Sequence, residues 1–154
     1  MNLHTAIISK MPYGKGFLFI DEIETLTTNK IKGSYSFPVE AEYYAHHFPS
    51  NPVTPGVLLT ECAAQIGLVA FGIFLLTAET SESQHTSPKI AFTSAEVDFL
   101  KSIPPGEKVH VEAKKIYFRF QKLKVSFKLL NSSNEVAVQG KLSGMFQLEK
   151  SNHE

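Results

Sequence analysis

The chain has 154 residues, of which 43% are hydrophobic and 19% are charged, a balance typical of one globular domain with a sizeable core. Fifteen basic residues balance fifteen acidic ones, which argues against a nucleic-acid partner and against electrostatic attraction to a membrane surface. Cys62 is the sole cysteine, so no internal disulfide can form and a reducing compartment is expected. We expect a single domain over residues 1–154.

No segment is typical of export or membrane insertion. The first residues, 1–5, lack the charged-then-apolar layout of a signal peptide. The longest apolar run, residues 66–76, is shorter than the roughly 20 residues that a membrane span requires. We therefore expect a cytoplasmic protein with no membrane insertion.

The first predicted elements are two strands that pair with each other. Glycine and proline punctuate residues 1–16, which are predicted to be irregular. Strands are predicted over 17–26 and 31–39, with a turn between them. Residues 40–45 leave room for no more than a helical turn.

A loop stiffened by three prolines, at 46–55, leads into a helix. Proline fixes φ, so this loop holds its side chains more firmly than a flexible loop would. Pro55 suits the first turn of the helix, and Thr54 before it is a plausible cap. At Gly56 a partner can approach the backbone closely, and a helix start leaves its N–H groups unpaired.

The helix is predicted over 57–77. Its apolar residues extend nearly all the way round, which predicts burial on all sides. Gly67 and Gly72 each weaken it by about 1 kcal/mol relative to alanine, so we expect another element to pack closely there. The polar loop at 78–88 is the best candidate for a mobile segment.

After this loop the hydrophobic period changes from 3.6 to 2. Residues 89–92 and 95–100 are predicted as strand, and further strands are predicted at 109–113, 125–129 and 136–148. Two strands, one long buried helix and then three or four antiparallel strands predict an α+β fold. In this fold a curved antiparallel sheet wraps one central helix.

A histidine and a carboxylate lie on either side of the helix start. His47, Glu61 and free amide donors are the parts of an acid–base site that acts on a carbonyl compound. Glu61 either lines a pocket or faces solvent at the helix start. Burial would raise the pKa of Glu61, and the helix N-terminus would lower it. Gln65, one turn on, either orients this carboxyl group or forms a polar edge of the helix.

Other chemistries lack the residues that they need. His46 and His47 point different ways and no ligand set accompanies them, so no metal is expected. Cys62 has no base beside it and is assigned to core packing. The sequence has no G-x-S-x-G, G-x-G-x-x-G or P-loop motif, so serine hydrolysis and nucleotide cofactors are not indicated, and we expect no cofactor.

A basic cluster follows the alternation of the late strands. It is either the solvated face of a sheet or a docking patch for an acidic partner protein. Its members are Lys114, Lys115, Arg119, Lys122, Lys124 and Lys128.

The loop and the helix start resemble a known family. They look like the signature of the 3-hydroxyacyl-acyl-carrier-protein dehydratases of bacterial fatty-acid synthesis, the FabZ type. The matching residues are His47-Phe48-Pro49, Pro52-Val53, Pro55-Gly56-Val57-Leu58, Glu61 and Ala64-Gln65, and further similarity lies at 11–12, 17–21, 97–99 and 105–106. Two positions depart from the pattern, since His46 and Ser50 stand where the family usually has glycine.

The resemblance implies a hotdog fold and a homodimer, or a higher oligomer of dimers, with its active sites at the subunit interface. The substrate would arrive on acyl carrier protein, in fatty-acid or related lipid or polyketide-type biosynthesis. His47 would remove the α-proton of a 3-hydroxyacyl thioester, and Glu61 of the other chain would protonate the departing 3-hydroxyl, leaving a trans-2-enoyl thioester. Gly56 would hold the carbonyl oxygen through its N–H, and Val57 and Gln65 would also bind substrate.

Two other readings stay open. A hotdog acyl-thioester hydrolase would use a carboxylate to activate water and would not need the His-Phe-Pro loop in this form. A non-catalytic hotdog subunit would only bind acyl chains, and it would have no physical need for both His47 and Glu61. Because the related FabA type, which also isomerises the double bond, has Asp at the position of Glu61, this residue favours dehydration alone.

Overall fold

Six antiparallel strands form one sheet that packs along a long helix. The structure is a computed structural model, and it describes residues 2–79 and 88–147. The sheet order is β1-β2-β4-β5-β6-β3. The strands are β1 (Glu22–Leu26), β2 (Lys30–Ser36), β3 (Lys89–Phe99), β4 (Lys108–Arg119), β5 (Lys122–Leu130) and β6 (Val136–Gln147). The arrangement confirms the predicted hotdog fold.

The central helix, residues 56–79, is continuous but not uniform. It consists of α2 (Gly56–Ala64), a π-helical segment (Gln65–Ala70) and α3 (Phe71–Glu79), and a short helix, α1 (Leu3–Ser9), precedes the sheet. Residues 62–73 are all buried, as predicted for a helix that is apolar on every side.

The 23 residues Gly56–Ala78 are long and apolar enough to cross a membrane by length and composition. The sequence prediction rested on the shorter apolar run at 66–76 and did not indicate this. However, 72% of the most apolar window of this helix is buried inside the protein, which is the burial expected of a core helix.

Two glycines let the sheet approach the helix closely, as predicted. A Cβ atom added at Gly72 would lie 1.8 Å from Cζ of Phe146 on β6, and one added at Gly67 would lie 3.0 Å from Cβ of Ala113 on β4. The space that these side chains would fill is therefore occupied by the sheet.

The N-terminal region differs from the prediction in two ways. Helix α1 replaces part of the expected irregular segment, and the Asn2 side chain caps it by accepting a hydrogen bond from Thr5 N at 2.8 Å. Residues 17–20 are not a strand, because their backbone bonds to the Gln65 side chain: Phe19 N donates to Oε1 at 2.7 Å, and Nε2 donates to Phe17 O at 2.9 Å.

The remaining strand boundaries shift in ways that the sequence explains. The two stretches predicted as strand, 89–92 and 95–100, belong to one strand of 11 residues, with a register shift between Phe92 and Ser94. Strand β2 ends at Ser36, two residues before a proline that cannot donate to a ladder. The helical turn expected at 40–45 is a 3₁₀ turn (Glu42–Ala45). Most of the loop predicted to be mobile, residues 80–87, lies outside the described residues.

Candidate active site

Hydrogen bonds fix both the backbone and the ring of His47. Its backbone N donates to Tyr43 O, and Val53 N donates to His47 O, each at 2.9 Å. The ring Nδ1 lies 2.9 Å from Val53 O. Because a carbonyl oxygen only accepts, Nδ1 must carry the proton, and Nε2 is left as the free acceptor that a general base requires. The ring also stacks on Phe48, and the His47-Phe48 peptide bond is cis.

The start of the central helix has no side-chain cap, so the prediction for Thr54 was wrong. Pro55 is the cap residue, and the Thr54 hydroxyl instead lies 2.6 Å from the hydroxyl of Tyr44. The N–H groups of Gly56 and Val57 belong to the first turn, where no helical acceptor is available. The Val57 side chain is 76% exposed.

A bulkier residue than glycine would be crowded at position 56. A Cβ atom there would lie 3.0 Å from the ring of Phe99, at the end of β3. Phe99 therefore covers the helix start, which sequence reasoning did not predict. A depression of about 290 Å³ lies beside this contact, lined by Val53, Thr54, Gly56, Leu59, Phe99, Leu100, Lys101 and Ser102.

Glu61 is partly buried, and this burial is the main influence on its pKa. Loss of water around the carboxyl group raises the pKa of Glu61, and the hydrogen bond from Gln65 lowers the pKa by less. The question that the sequence left open is thus resolved in favour of a raised pKa. A carboxyl group with a raised pKa is suited to donating a proton.

Gln65 is fully buried, so it is not a polar edge of the helix. Its Nε2 donates to Glu61 Oε1 at 3.3 Å, as the spacing of one helical turn predicted. The same amide also bonds to the backbone of Phe17 and Phe19. Gln65 therefore ties the carboxyl group of Glu61 to the segment that precedes β1.

A cavity of about 190 Å³, lined mostly by apolar residues, opens beside Glu61. Its lining is Tyr13, Glu61, Ala64, Leu68, Val69, Ile90 and Phe92, and His47 is not part of it. Sequence reasoning missed Tyr13, Ile90 and Phe92. The period-2 pattern around 89–92 marked a strand, but it could not show that this strand borders the helix at Glu61.

Cys62 is confirmed as a core residue. It is completely buried, and its Sγ lies 3.4 Å from Phe19 O. Burial raises the pKa of this thiol, which leaves it unreactive. Within residues 2–79 and 88–147, no three His, Cys, Asp or Glu side chains converge as a metal site would require.

The basic cluster lies on β4 and β5, on both sides of the turn that joins them. Lys114, Lys124 and Lys128 alternate with buried residues, so they lie on the sheet face turned away from the helix. Lys122 on β5 pairs with Met145 on β6, and Met145 pairs with Ala91 on β3. Ala91 lies between Ile90 and Phe92, two residues of the cavity wall. At about 4.8 Å per strand, this end of the cluster is roughly 10 Å from the cavity wall.

Fold and site together define a hotdog protein with the parts of an acid–base centre, an oriented histidine and a carboxyl group at an apolar cavity. Residues 11–140 match the family model of the FabA-like domain. The chain therefore belongs to the FabA-like family.

Relatives with assigned activities are similar over most of the chain. The chain is 34% identical to the 3-hydroxyacyl-[acyl-carrier-protein] dehydratase FabZ of Bacillus licheniformis over 113 residues, which are 71% of this chain and 72% of that protein. It is 26% identical to the enzyme of the same name from Rickettsia typhi over 144 residues, 93% of this chain and 94% of that one.

Solved structures confirm the fold. The dehydratase heterocomplex ApeI:P from Xenorhabdus doucetiae superimposes with a TM-score of 0.74 at 12% identity, over 98% of this chain and 95% of that chain. The thioesterase HI1161 from Haemophilus influenzae gives a TM-score of 0.60 at 19% identity, over 86% and 82% of the two chains. At such identities the likeness concerns the fold alone.

Proposed function

We propose that the chain is a hydro-lyase that converts a 3-hydroxyacyl thioester on acyl carrier protein into the trans-2-enoyl thioester, in fatty-acid or related lipid biosynthesis. One observation carries the proposal: Glu61, with a raised pKa, opens into an apolar cavity in a member of the FabA-like family. An acyl chain needs such a cavity, and a leaving hydroxyl needs such an acid.

The proposed reaction moves two protons. The Nε2 atom of His47 removes a proton from C2 of the substrate, and the C2–H electrons form the new double bond to C3. Glu61 donates its proton to the 3-hydroxyl, which leaves as water. The N–H groups of Gly56 and Val57 hold the thioester oxygen while negative charge develops on it. Gln65 holds the Glu61 carboxyl group, and its direct contact with substrate stays a prediction.

We infer that two copies of the chain complete each site, with His47 from one copy and Glu61 from the other. Within one copy His47 does not line the cavity beside Glu61. Large apolar side chains are exposed around both half-sites, at Phe48, Val57, Phe92 and Phe99. Burial against a second copy would remove them from water.

The edge strand β3 supports the same inference. It is 11 residues long and pairs with β6 on one side, while no strand among the described residues pairs with the other side. A long open edge offers unpaired backbone groups to a second strand. Pairing of β3 from two copies would place Phe92 and Phe99 at the interface.

The basic cluster supports an acidic carrier protein as the partner. Its six cations lie on two adjacent strands, and one end of the cluster lies near the cavity wall. We also infer a cytoplasmic location, which agrees with a single, buried, free cysteine.

Charge reversal tests the docking proposal. Lys122→Glu combined with Lys124→Glu should raise the KM for a carrier-bound substrate about tenfold at low salt, because rim charges mainly steer association. Activity on a small thioester without the carrier should not change. Lys108→Glu, at the opposite end of β4, is the matched control. An unchanged KM in the double variant would place the dock elsewhere.

The activity itself is tested by mass spectrometry of the carrier-bound substrate. Incubation with 3-hydroxyacyl carrier protein should produce the loss of one water, and His47→Ala and Glu61→Ala should each abolish it while the protein stays folded. Release of free acid would instead identify a thioesterase. No change with several chain lengths would identify a subunit that only binds acyl chains.

A further inference from the structure

We propose that the buried hydroxyl pair of Tyr44 and Thr54 is a positioning device that holds the imidazole of His47 and the backbone N–H of Gly56 in register. The proposal rests on the proposed function, since it assigns these two groups to the reaction. Neither hydroxyl touches the acyl cavity, so both residues act through others.

The pair is buried and its hydrogen bond is short. Tyr44 is 5% exposed, Thr54 is 3% exposed, and their hydroxyl oxygens are 2.6 Å apart. Both hydroxyl groups lose hydration on burial; Thr54 recovers a hydrogen bond with Tyr44, and the Tyr44 hydroxyl also shares one with the Tyr43 hydroxyl. Two apolar side chains of the same shape would fill the space without this cost, so core stability alone does not explain the pair.

The two residues stand at the two ends of the His47 loop. Tyr44 belongs to the 3₁₀ turn whose Tyr43 carbonyl accepts the N–H of His47. Thr54 follows Val53, whose carbonyl accepts Nδ1–H of the His47 ring. The Tyr44-Thr54 bond therefore closes the base of this loop.

Thr54 also connects the loop to the helix start. Its backbone N donates to Ile103 O at 2.9 Å, and only Pro55 separates it from Gly56. Because Pro55 has a fixed φ, a displacement of Thr54 is transmitted to Gly56. The Tyr44-Thr54 contact thus fixes the distance between the His47 imidazole, which accepts a proton, and the Gly56 N–H, which donates a hydrogen bond to the oxyanion.

Loss of this contact should affect turnover more than binding. A misplacement of about 1 Å at reacting groups can cost on the order of 10²-fold in rate. The acyl cavity has a separate lining, so the KM should stay within about twofold.

Matched substitutions at Thr54 separate the hydroxyl from packing. Thr54→Val keeps the shape and removes the hydroxyl, whereas Thr54→Ser keeps the hydroxyl and removes a methyl group. We expect Thr54→Val and Tyr44→Phe to lower kcat by about 10- to 100-fold, with Thr54→Ser within about threefold of the wild type. If Thr54→Val retains wild-type kcat, or if Thr54→Ser loses as much as Thr54→Val, the proposal is overturned.

The double variant Tyr44→Phe with Thr54→Val provides a second test. Tyr44→Phe and the double variant both lose the bond to the Tyr43 hydroxyl, but only Tyr44→Phe leaves the Thr54 hydroxyl unpaired. The thermal stability of the double variant should therefore recover relative to Tyr44→Phe, while kcat should stay low. Recovery of kcat together with stability would show that the pair serves packing alone.

A readout that needs no activity distinguishes this proposal from the proposed function. Nitrogen-15 NMR of the His47 ring should show a proton fixed on Nδ1 in the wild type and a mixture of tautomers in Thr54→Val. A wild type without dehydratase activity would overturn the proposed function, and this spectrum would still test the positioning of His47. An unchanged tautomer in Thr54→Val would overturn the positioning proposal.

Discussion

Glu61 lies partly buried at an apolar cavity, with one hydrogen bond from Gln65. Desolvation outweighs that hydrogen bond, so the pKa of Glu61 is raised in the folded chain. Between its ordinary and its raised pKa, the folded chain binds more protons at Glu61 than the unfolded chain does. Stability therefore falls as the pH rises through this window, and the cost is complete above the raised pKa.

Glu61→Gln should accordingly stabilise the protein while removing its activity. The amide is similar in shape and carries no charge, so the free energy of unfolding should exceed that of the wild type at neutral pH. The difference should shrink below the ordinary pKa range of a carboxyl group, where both states are protonated. Urea unfolding at a series of pH values measures this, with the exposed Glu40→Gln as the control. Equal stability at every pH would contradict the raised pKa.

At the residue scale the sequence singles out candidate acid–base residues, but it does not predict their contacts. His47 and Glu61 stand out because a histidine in a proline-rich loop and a carboxylate in an apolar helix are unusual. The cap predicted at Thr54 failed because the Tyr44 hydroxyl, ten residues away, takes the hydrogen bond. Whether His47 and Glu61 act together stays a prediction.

At the scale of elements, the central helix and the sheet fit because glycines remove side chains from their interface. Gly72 is the tightest of these positions, with the ring of Phe146 in the space of its missing Cβ atom. The sequence predicted close packing at Gly72, because glycine inside a helix is otherwise unfavourable. It could not name Phe146, which is more than 70 residues away.

Gly72→Ala should lower the free energy of unfolding by about 1–3 kcal/mol, since overpacking outweighs the gain in helix propensity. Chemical denaturation measures the change. Gly16→Ala is the control, because a Cβ atom there meets nothing within 4 Å. A Gly72→Ala protein as stable as the wild type would show that β6 can move away from the helix without cost.

The hairpin between β4 and β5 has an unfavourable turn sequence. Phe120 and Gln121 both have positive φ values, 51° and 62°, as a two-residue type I′ turn requires. Such turns favour Asn-Gly, and Phe120 is also 89% exposed, so it gains little from burial.

Phe120→Asn combined with Gln121→Gly should therefore raise the free energy of unfolding by about 1 kcal/mol. Thermal and urea unfolding measure the effect, and each single variant should account for part of it. A decrease in stability would mean that the Phe120 ring makes a contact that its exposure does not indicate.

Element boundaries failed where tertiary contacts replaced local ones. The apolar run at 17–20 has the composition of a strand, but the Gln65 side chain takes the place of a neighbouring strand. The long helix and the late strands were predicted because their periodicity extends over many residues. The π-helical segment at 65–70 left no signal in that periodicity.

At the scale of the whole molecule, the two candidate acid–base residues of one copy do not share a cavity, since His47 is not part of the lining beside Glu61. The helix start at Gly56 lies beside Phe99, and Glu61 lies beside Phe92; both phenylalanines belong to the open edge strand β3. The order of elements could be predicted from the sequence, whereas the register of β3 decides which of its residues border Gly56 and Glu61. The assignment of residues 1–154 to a single domain stays a prediction.

The most direct test of the account is complementation between two inactive variants. His47→Ala and Glu61→Ala chains with different affinity tags are co-expressed, and the mixed dimers are isolated through both tags. If each site takes His47 from one copy and Glu61 from the other, a mixed dimer has one intact site and should dehydrate a 3-hydroxyacyl thioester at roughly half the wild-type rate. Mixed dimers as inactive as either parent would contradict the shared site.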